Sequence, residues 1–208
     1  MSACAIDGRR LEIIRDSVFN SFIKPELDPE KCKLLGIDEV QNEALKVNGI
    51  DLKSLENSPG PKEVWERFCE YVNKFSSGTG RWKAPIRAGM NILGFDDKIN
   101  FRLAKEFGPW DKEQNCPALF HPRDCIDIMH HLFMSIYENN SNVRSLSMDS
   151  MRDYFGLSKE KAHESETDIL QGSMILIRNM KWMRKLSSDD SKFRGAMSNC
   201  KIEDFYGA

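Results

Sequence analysis

The order of apolar patterns along this chain predicts an α/β domain built on a mixed sheet. Two short apolar runs near the N-terminus read as strands, and strands alternate with helical patterns from Ala84 onward. One long helix, His163 to Leu186, then carries an apolar stripe that can cover the sheet. The 208 residues suit one sizeable domain over 1–186, followed by a polar tail over 187–208.

Each element has its own local signal. Ser2 to Ile6 is a short apolar run ended by the Asp7-Gly8 turn. Ser17 to Ile23 is a second strand, with Val18, Phe19, Phe22 and Ile23 apolar and Pro25 stopping it; Asp28-Pro29-Glu30 then opens a loop. Glu39 to Val47 reads as a helix that ends at Asn48-Gly49. Pro61 begins the best-defined helix, where Val64, Trp65, Phe68, Tyr71, Val72 and Phe75 recur at helical spacing and mark the core. Ser76 to Gly80 is a loop, Ala84 to Met90 a strand, and Phe95 to Phe107 a helix; an irregular loop over 108–118 follows, around Pro109 and Pro117. Arg123 to Asp127 reads as a strand leading into a helix through Tyr137, with the polar break Asn139-Asn140-Ser141-Asn142 after it. Ser147 caps a helix that closes at Gly156. In the last helix Ile169, Leu170, Ile175, Leu176 and Met180 form the packing face.

Composition narrows the function classes. Hydrophobic content of 40% and charged content of 30% are those of an ordinary globular protein. A formal net charge of -2 gives no global electrostatic drive toward nucleic acid, although metal ions and local cationic patches can hold phosphates without one. No run approaches the roughly 18 apolar residues of a membrane span, and Met1 to Asp7 is too short and too soon charged for a secretory leader. The cysteines at 4, 32, 69, 116, 125 and 200 contain no C-x-x-C, so reduced thiols in a cytoplasmic setting and no membrane partner are expected. Cys116-x4-His121-x3-Cys125-x4-His130 has metal-ligating residue types, but its spacing matches no standard zinc knuckle.

Two clusters carry the chemistry. His163 and Asp168 stand five positions apart at the opening of the last helix, where an imidazole base and a carboxylate can serve one site. Gly89-Met90-Asn91-Ile92-Leu93-Gly94-Phe95-Asp96 lies where a strand gives way to a helix, the usual place for ligand groups in α/β sheets. Asp96 would project from the helix start, with Asp97 as the alternative carboxylate, and Asn91 could fix the loop or contact substrate. Gly89 and Gly94 would let the backbone come close to a sugar-phosphate chain. Asp127 reads as a helix cap or as a residue that supports the site from behind, not as a ligand. Trp82 with Arg81 and Lys83 could stack on a single strand or anchor a loop, and Lys181, Arg184 and Lys185 read as a solvated helical face with phosphate binding as the alternative.

In order and spacing these segments resemble the DEDDh (DnaQ-like) branch of the ribonuclease H-like 3′–5′ exonucleases, over roughly residues 1–186. Gly89-x-Asn91-x-x-x-Phe95-Asp96 is similar to that family's second motif and Ala162-His163-x-x-x-x-Asp168 to its third. Glu43 to Ile50 is similar to its helix-to-loop segment, and Cys125-Ile126-Asp127 resembles its strand that ends in an aspartate. The resemblance implies a ribonuclease H-like mixed sheet flanked by helices and hydrolysis of phosphodiester bonds from the 3′ end of single-stranded DNA or RNA. It implies two Mg²⁺ or Mn²⁺ ions, with Asp96 and Asp168 as metal ligands, His163 as general base, and Asn91 and Phe95 at the substrate. A polymerase or another replication protein is the partner it suggests.

The family's first motif, Asp-x-Glu on a central strand, has no counterpart here. Asp28-Pro29-Glu30 follows Pro25 in a loop, and Asp7 has no partner at the right offset. The expectation is therefore an N-terminally shortened member whose Met1 is internal to a longer protein, with the first central strand missing and weak activity or none. Glu164-Ser165 also stands where the family often has Asp-Ala. The rival expectation is a non-catalytic nucleic-acid- or protein-binding module on the same fold; DNA against RNA and the oligomeric state are left open.

Overall fold

The computed structural model describes residues 1–47, 49–137 and 143–188. Asp7 turns the chain near its N-terminus: its Oδ1 accepts from the backbone N–H groups of Arg9 (2.8 Å) and Arg10 (3.0 Å). Strand β2 (Ile6–Asp7) therefore folds back antiparallel on β3 (Glu12–Ile13). Around this hairpin β1 (Ser2–Ala3) pairs antiparallel with β4 (Phe19–Asn20). The two runs predicted as strands do pair, but over two residues each. Phe19 turns into the core while Val18 and Phe22 are exposed, the alternation a pleated strand imposes.

The expected loop at Asp28-Pro29-Glu30 is instead the start of helix α1 (Pro29–Leu35). Asp28 accepts from Glu30 N (2.9 Å) and Lys31 N (3.4 Å), Pro29 takes the first turn, and Gly36 closes the helix in the left-handed region (φ 63°). Helix α2 (Asn42–Val47) is shorter than predicted; Gly49 has the left-handed φ expected of its stop, and Asn48 lies outside the described residues. Helix α3 (Leu52–Glu56) follows.

Helix α4 (Pro61–Asn73) forms where its spacing predicts, and packs against α5 (Asp96–Phe107). Val64, Trp65, Phe68 and Val72 meet Leu103, Ala104, Leu119, Phe120 and Phe19 in one core. Phe68 lies 5.4 Å from Phe19 and 5.7 Å from Trp65, centroid to centroid, at tilted angles suited to ring quadrupoles. Strand β5 (Arg87–Gly89) falls within the predicted strand. The segment expected to be irregular contains a small antiparallel hairpin, β6 (Trp110–Asp111) with β7 (Cys116–Pro117). Asp111 makes it by accepting from Glu113 N (2.9 Å) and Gln114 N (3.0 Å).

Strand β8 (Cys125–Asp127) pairs parallel with β5, placing Gly89 opposite Asp127, and α6 (Ile128–Leu132) runs on into one π-helical turn over Phe133–Tyr137. The predicted polar break at Asn139–Asn142 lies outside the described residues. Ser147 caps α7 (Met148–Phe155) by accepting from Ser150 N (3.3 Å), and Gly156 ends it at φ 63°. The last helix, α8, runs Ser165–Ser188, so it starts after His163; of the predicted tail, 189–208 lies outside the described residues. Ile175 and Leu176 are buried with Ile128, Leu132, Val143 and Met151 in a second core, and Met180 packs on its edge.

The architecture is mixed α/β, with helices around small sheets. Among the described residues the strands form four two-stranded pieces instead of the single mixed sheet expected. Helix α8 lies against both β1 and β5, which are not paired with each other there. No described helix is long and apolar enough to cross a membrane.

Trp65 is the residue this packing tests most directly. It is fully buried, and its Nε1 donates to the carbonyl of Gly108. Trp65→Ala is expected to cost about 3–5 kcal/mol, read from the midpoint of urea unfolding.

Candidate active site

The turn between β5 and α5 is held by a buried carboxylate. Asp127, at the end of β8, accepts from Asn91 N (3.1 Å) and Leu93 N (3.3 Å) across the sheet, and from Met129 N (3.0 Å) as the cap of α6. The cap predicted from the sequence is thus also the anchor of the neighbouring turn. Within that turn Gly94 N and Phe95 N both donate to Asn91 O at 3.1 Å, and Asn91 takes a left-handed φ of 58°.

The glycines serve the turn itself. A Cβ on Gly94 would collide with Asn91 Oδ1, and one on Gly89 would stand 3.1 Å from Ile92 Cβ. The space expected to admit a sugar-phosphate chain is filled by Asn91 and Ile92.

Three aspartates converge here with different duties. Asp97 is buried and takes Arg87 Nε on both oxygens, at 2.8 and 3.1 Å. Asp127 is committed to backbone N–H groups. Asp96, at the first turn of α5, keeps contact with solvent. Burial by the surrounding turn pushes its carboxyl above the ordinary range; its own backbone N–H opposes this, and the charges of Asp97 and Asp127 add to it. Phe95, immediately before it, is 64% exposed. The turn therefore presents Asn91, Phe95 and Asp96 outward from a rigid base.

His163 and Asp168 lie at the other end of the last connection. His163 precedes α8 with a φ of 71°, and its Nε2 is 3.9 Å from Asp149 Oδ2. Asp168, in the first turn of α8, is paired with Arg152 Nη2. Arg152 is almost completely buried and also donates to Asp149 Oδ1 (2.6 Å) and Gln171 Oε1 (2.7 Å), while Gln171 Nε2 donates to Ser158 O (2.8 Å). Arg152 belongs to no motif in the sequence, although a signal for it exists. It stands four residues after Met148 and three before Phe155, on the apolar face of α7, where a charge needs buried partners.

The expected cation site can be tested against these side chains. Among the described residues no three His, Cys, Asp or Glu side chains are grouped to hold a metal ion. Asp168 faces a guanidinium, Asp97 faces another, and Asp127 is saturated by N–H donors. These residues do not fit a two-cation centre. The same holds for the zinc alternative, since His121 Nδ1 accepts from Asp124 N at 3.1 Å.

No protein-family model matches the chain, and no curated protein matches it in sequence. In fold it is similar to the crystal structure of cell-death related nuclease 4 (CRN-4), with a TM-score of 0.59 and 18% sequence identity. The likeness covers 86% of this chain and 55% of that one, so the chain spans about half the length of that nuclease.

Two measurements follow from this geometry. The Asp96 carboxyl has a folded-state pKa above its unfolded value, so its favourable contribution is full below about pH 3.9 and is lost as pH rises through the folded pKa. Asp96→Asn is thus expected to raise the melting temperature at pH 7, with the gap closing near pH 3. Asp127→Ala leaves two turn N–H donors without their acceptor and removes a cap, and is expected to lower stability by about 2–4 kcal/mol in chemical unfolding.

Proposed function

We propose that this protein acts on nucleic acid as a hydrolase of phosphodiester bonds, working from the 3′ end of a single strand in a cytoplasmic setting. One observation carries the reading: a chain with a nuclease-like fold presents Asn91, Phe95 and Asp96 outward at the C-terminal end of a parallel strand pair. That is where α/β sheets bind ligands. Phe95 is suited to stack on a terminal base, Asn91 to contact the sugar or base edge, and Asp96 to act as a carboxylate on the reacting phosphate's side. His163 is the proposed proton acceptor for the attacking water, with Asp149 beside it as the acid that steadies its charged form. Asp168 belongs to the same proposal and is held in place by Arg152. The resemblance to the DEDDh exonucleases would add a polymerase or replication protein as partner; the Mg²⁺ or Mn²⁺ it implies finds no ligand set among the described residues.

A second reading has its own support. The pairing of Asp168 with Arg152, and of Asp97 with Arg87, suits a non-catalytic module that binds nucleic acid on the same fold. End-labelled single-stranded DNA and RNA, incubated with Mg²⁺, Mn²⁺ or a chelator, separate the two. The proposal expects slow shortening from the 3′ end, reduced about 100-fold or more by His163→Ala and abolished by Asp168→Ala. Binding without shortening under every condition establishes the module instead.

A further inference from the structure

Trp82 sits on a single 3₁₀ turn, Arg81–Lys83, ahead of β5, and is 51% exposed. A ring of this size left half in water forgoes much of the burial it would gain in the core. Its surroundings are ordered and cationic. The Arg123 guanidinium lies 4.9 Å from the ring centroid, that of Arg81 5.8 Å, and the His121 ring meets it edge-on at 5.4 Å. The backbone fixes these pieces together: His121 N donates to Pro85 O (3.0 Å), and Ser77 N donates to Lys83 O (2.9 Å).

The patch is separate from the candidate active site. Arg123 and His121 precede β8 as Trp82 precedes β5, and the two strands are parallel. Both lead-in segments therefore meet the strand pair at its N-terminal end, whereas Asn91, Phe95 and Asp96 follow its C-terminal end. Of the nearby acids, Asp111 is engaged by Arg81, while Asp124 is exposed, with Oδ2 3.3 Å from His121 Nδ1. Lys83 and Arg123 are exposed and make no ion pair among the described residues.

We propose that this patch is a second contact site for single-stranded nucleic acid, with one base stacked on Trp82 and the adjoining phosphates held by Arg123 and Lys83. The inference rests on the nucleic-acid reading above. An exposed ring between cations matches what a single strand offers at each step, a π-face and a phosphate. An acidic peptide would use the cations and offer no base to stack on the exposed part of the ring.

Anisotropy titration of labelled oligo-dT and oligo-U of about 12 nucleotides, at several salt concentrations, tests it. Trp82→Ala is expected to weaken binding about tenfold or more, and Trp82→Phe to restore most of it. Arg123→Ala is expected to reduce the salt slope by about one. All three variants should melt as the parent does. Unchanged binding by Trp82→Ala, no binding by the parent protein, or equal affinity for a polyglutamate peptide overturns the proposal. Shortening of the oligonucleotide together with unchanged binding by Trp82→Ala removes this site and leaves the proposed function standing. Weakened binding by Trp82→Ala with no shortening under any condition keeps the site and removes the hydrolytic reading.

Discussion

Strands of two or three residues cannot hold a sheet together in water, and every strand described in this protein is that short. The architecture consequently depends on helices that grip the pieces from the side, above all α8. Its buried Ile175 and Leu176 seat it on α6 and α7, and its flank reaches β1 and β5. Polar contacts repeat this grip along its length. Ser165 Oγ accepts from Ser2 Oγ (2.7 Å), Ser173 Oγ lies 3.1 Å from Cys4 Sγ, and Arg184 donates to Arg9 O (2.8 Å). A helix fixed at three places along one segment sets where that segment lies, so the β1–β4 and β5–β8 pairs are positioned by α8 and not by ladder bonds between them.

Buried charge does the finer positioning. Asp127, Asp97 and Arg152 are each withdrawn from water; Asp127 and Arg152 are satisfied by several partners and Asp97 by Arg87 on both its oxygens, the condition under which a buried ion is tolerable. Asp127 ties the turn after β5 to β8, Arg87 and Asp97 tie β5 to α5, and Arg152 ties α7 to α8. Each link fixes an element that carries or flanks a candidate residue. Asp96 differs: it lies among the same charges with its carboxyl pushed up and its face toward solvent. Of the three aspartates it is the one whose carboxylate is left open to solvent.

The strongest local patterns are legible in the amino-acid sequence. The spacing from Val64 to Val72 specifies α4 and its buried face, because an amphipathic period states both at once. Ser147 with Gly156 bounds α7, and Ile175 with Leu176 marks the face of α8. The helix at Pro29–Leu35 departs from the expected loop because Asp-Pro serves equally as a loop opening and as a cap with proline at the first position; only the following seven residues decide. The hairpin at Trp110 to Pro117 leaves no trace in the pattern because two-residue strands carry no period.

At the candidate site, spacing in the chain is what marks Asn91, Phe95, Asp96, His163 and Asp168. That spacing places them close to helix starts, since caps, glycines and apolar period are local properties, although Phe95 and His163 stand just ahead of α5 and α8 instead of inside them. It also sets Asp127 apart as a cap or supporting residue, and the structure gives it both duties. Only the tertiary structure decides what each side chain faces. Arg152 reaches Asp168 from another helix, Arg87 claims Asp97 and leaves Asp96 to solvent, and Asn91 fills the space beside Gly94. The physical reason is that pairing energies between charges fall on whichever partners folding brings within a few ångströms, and distance along the chain does not encode that proximity.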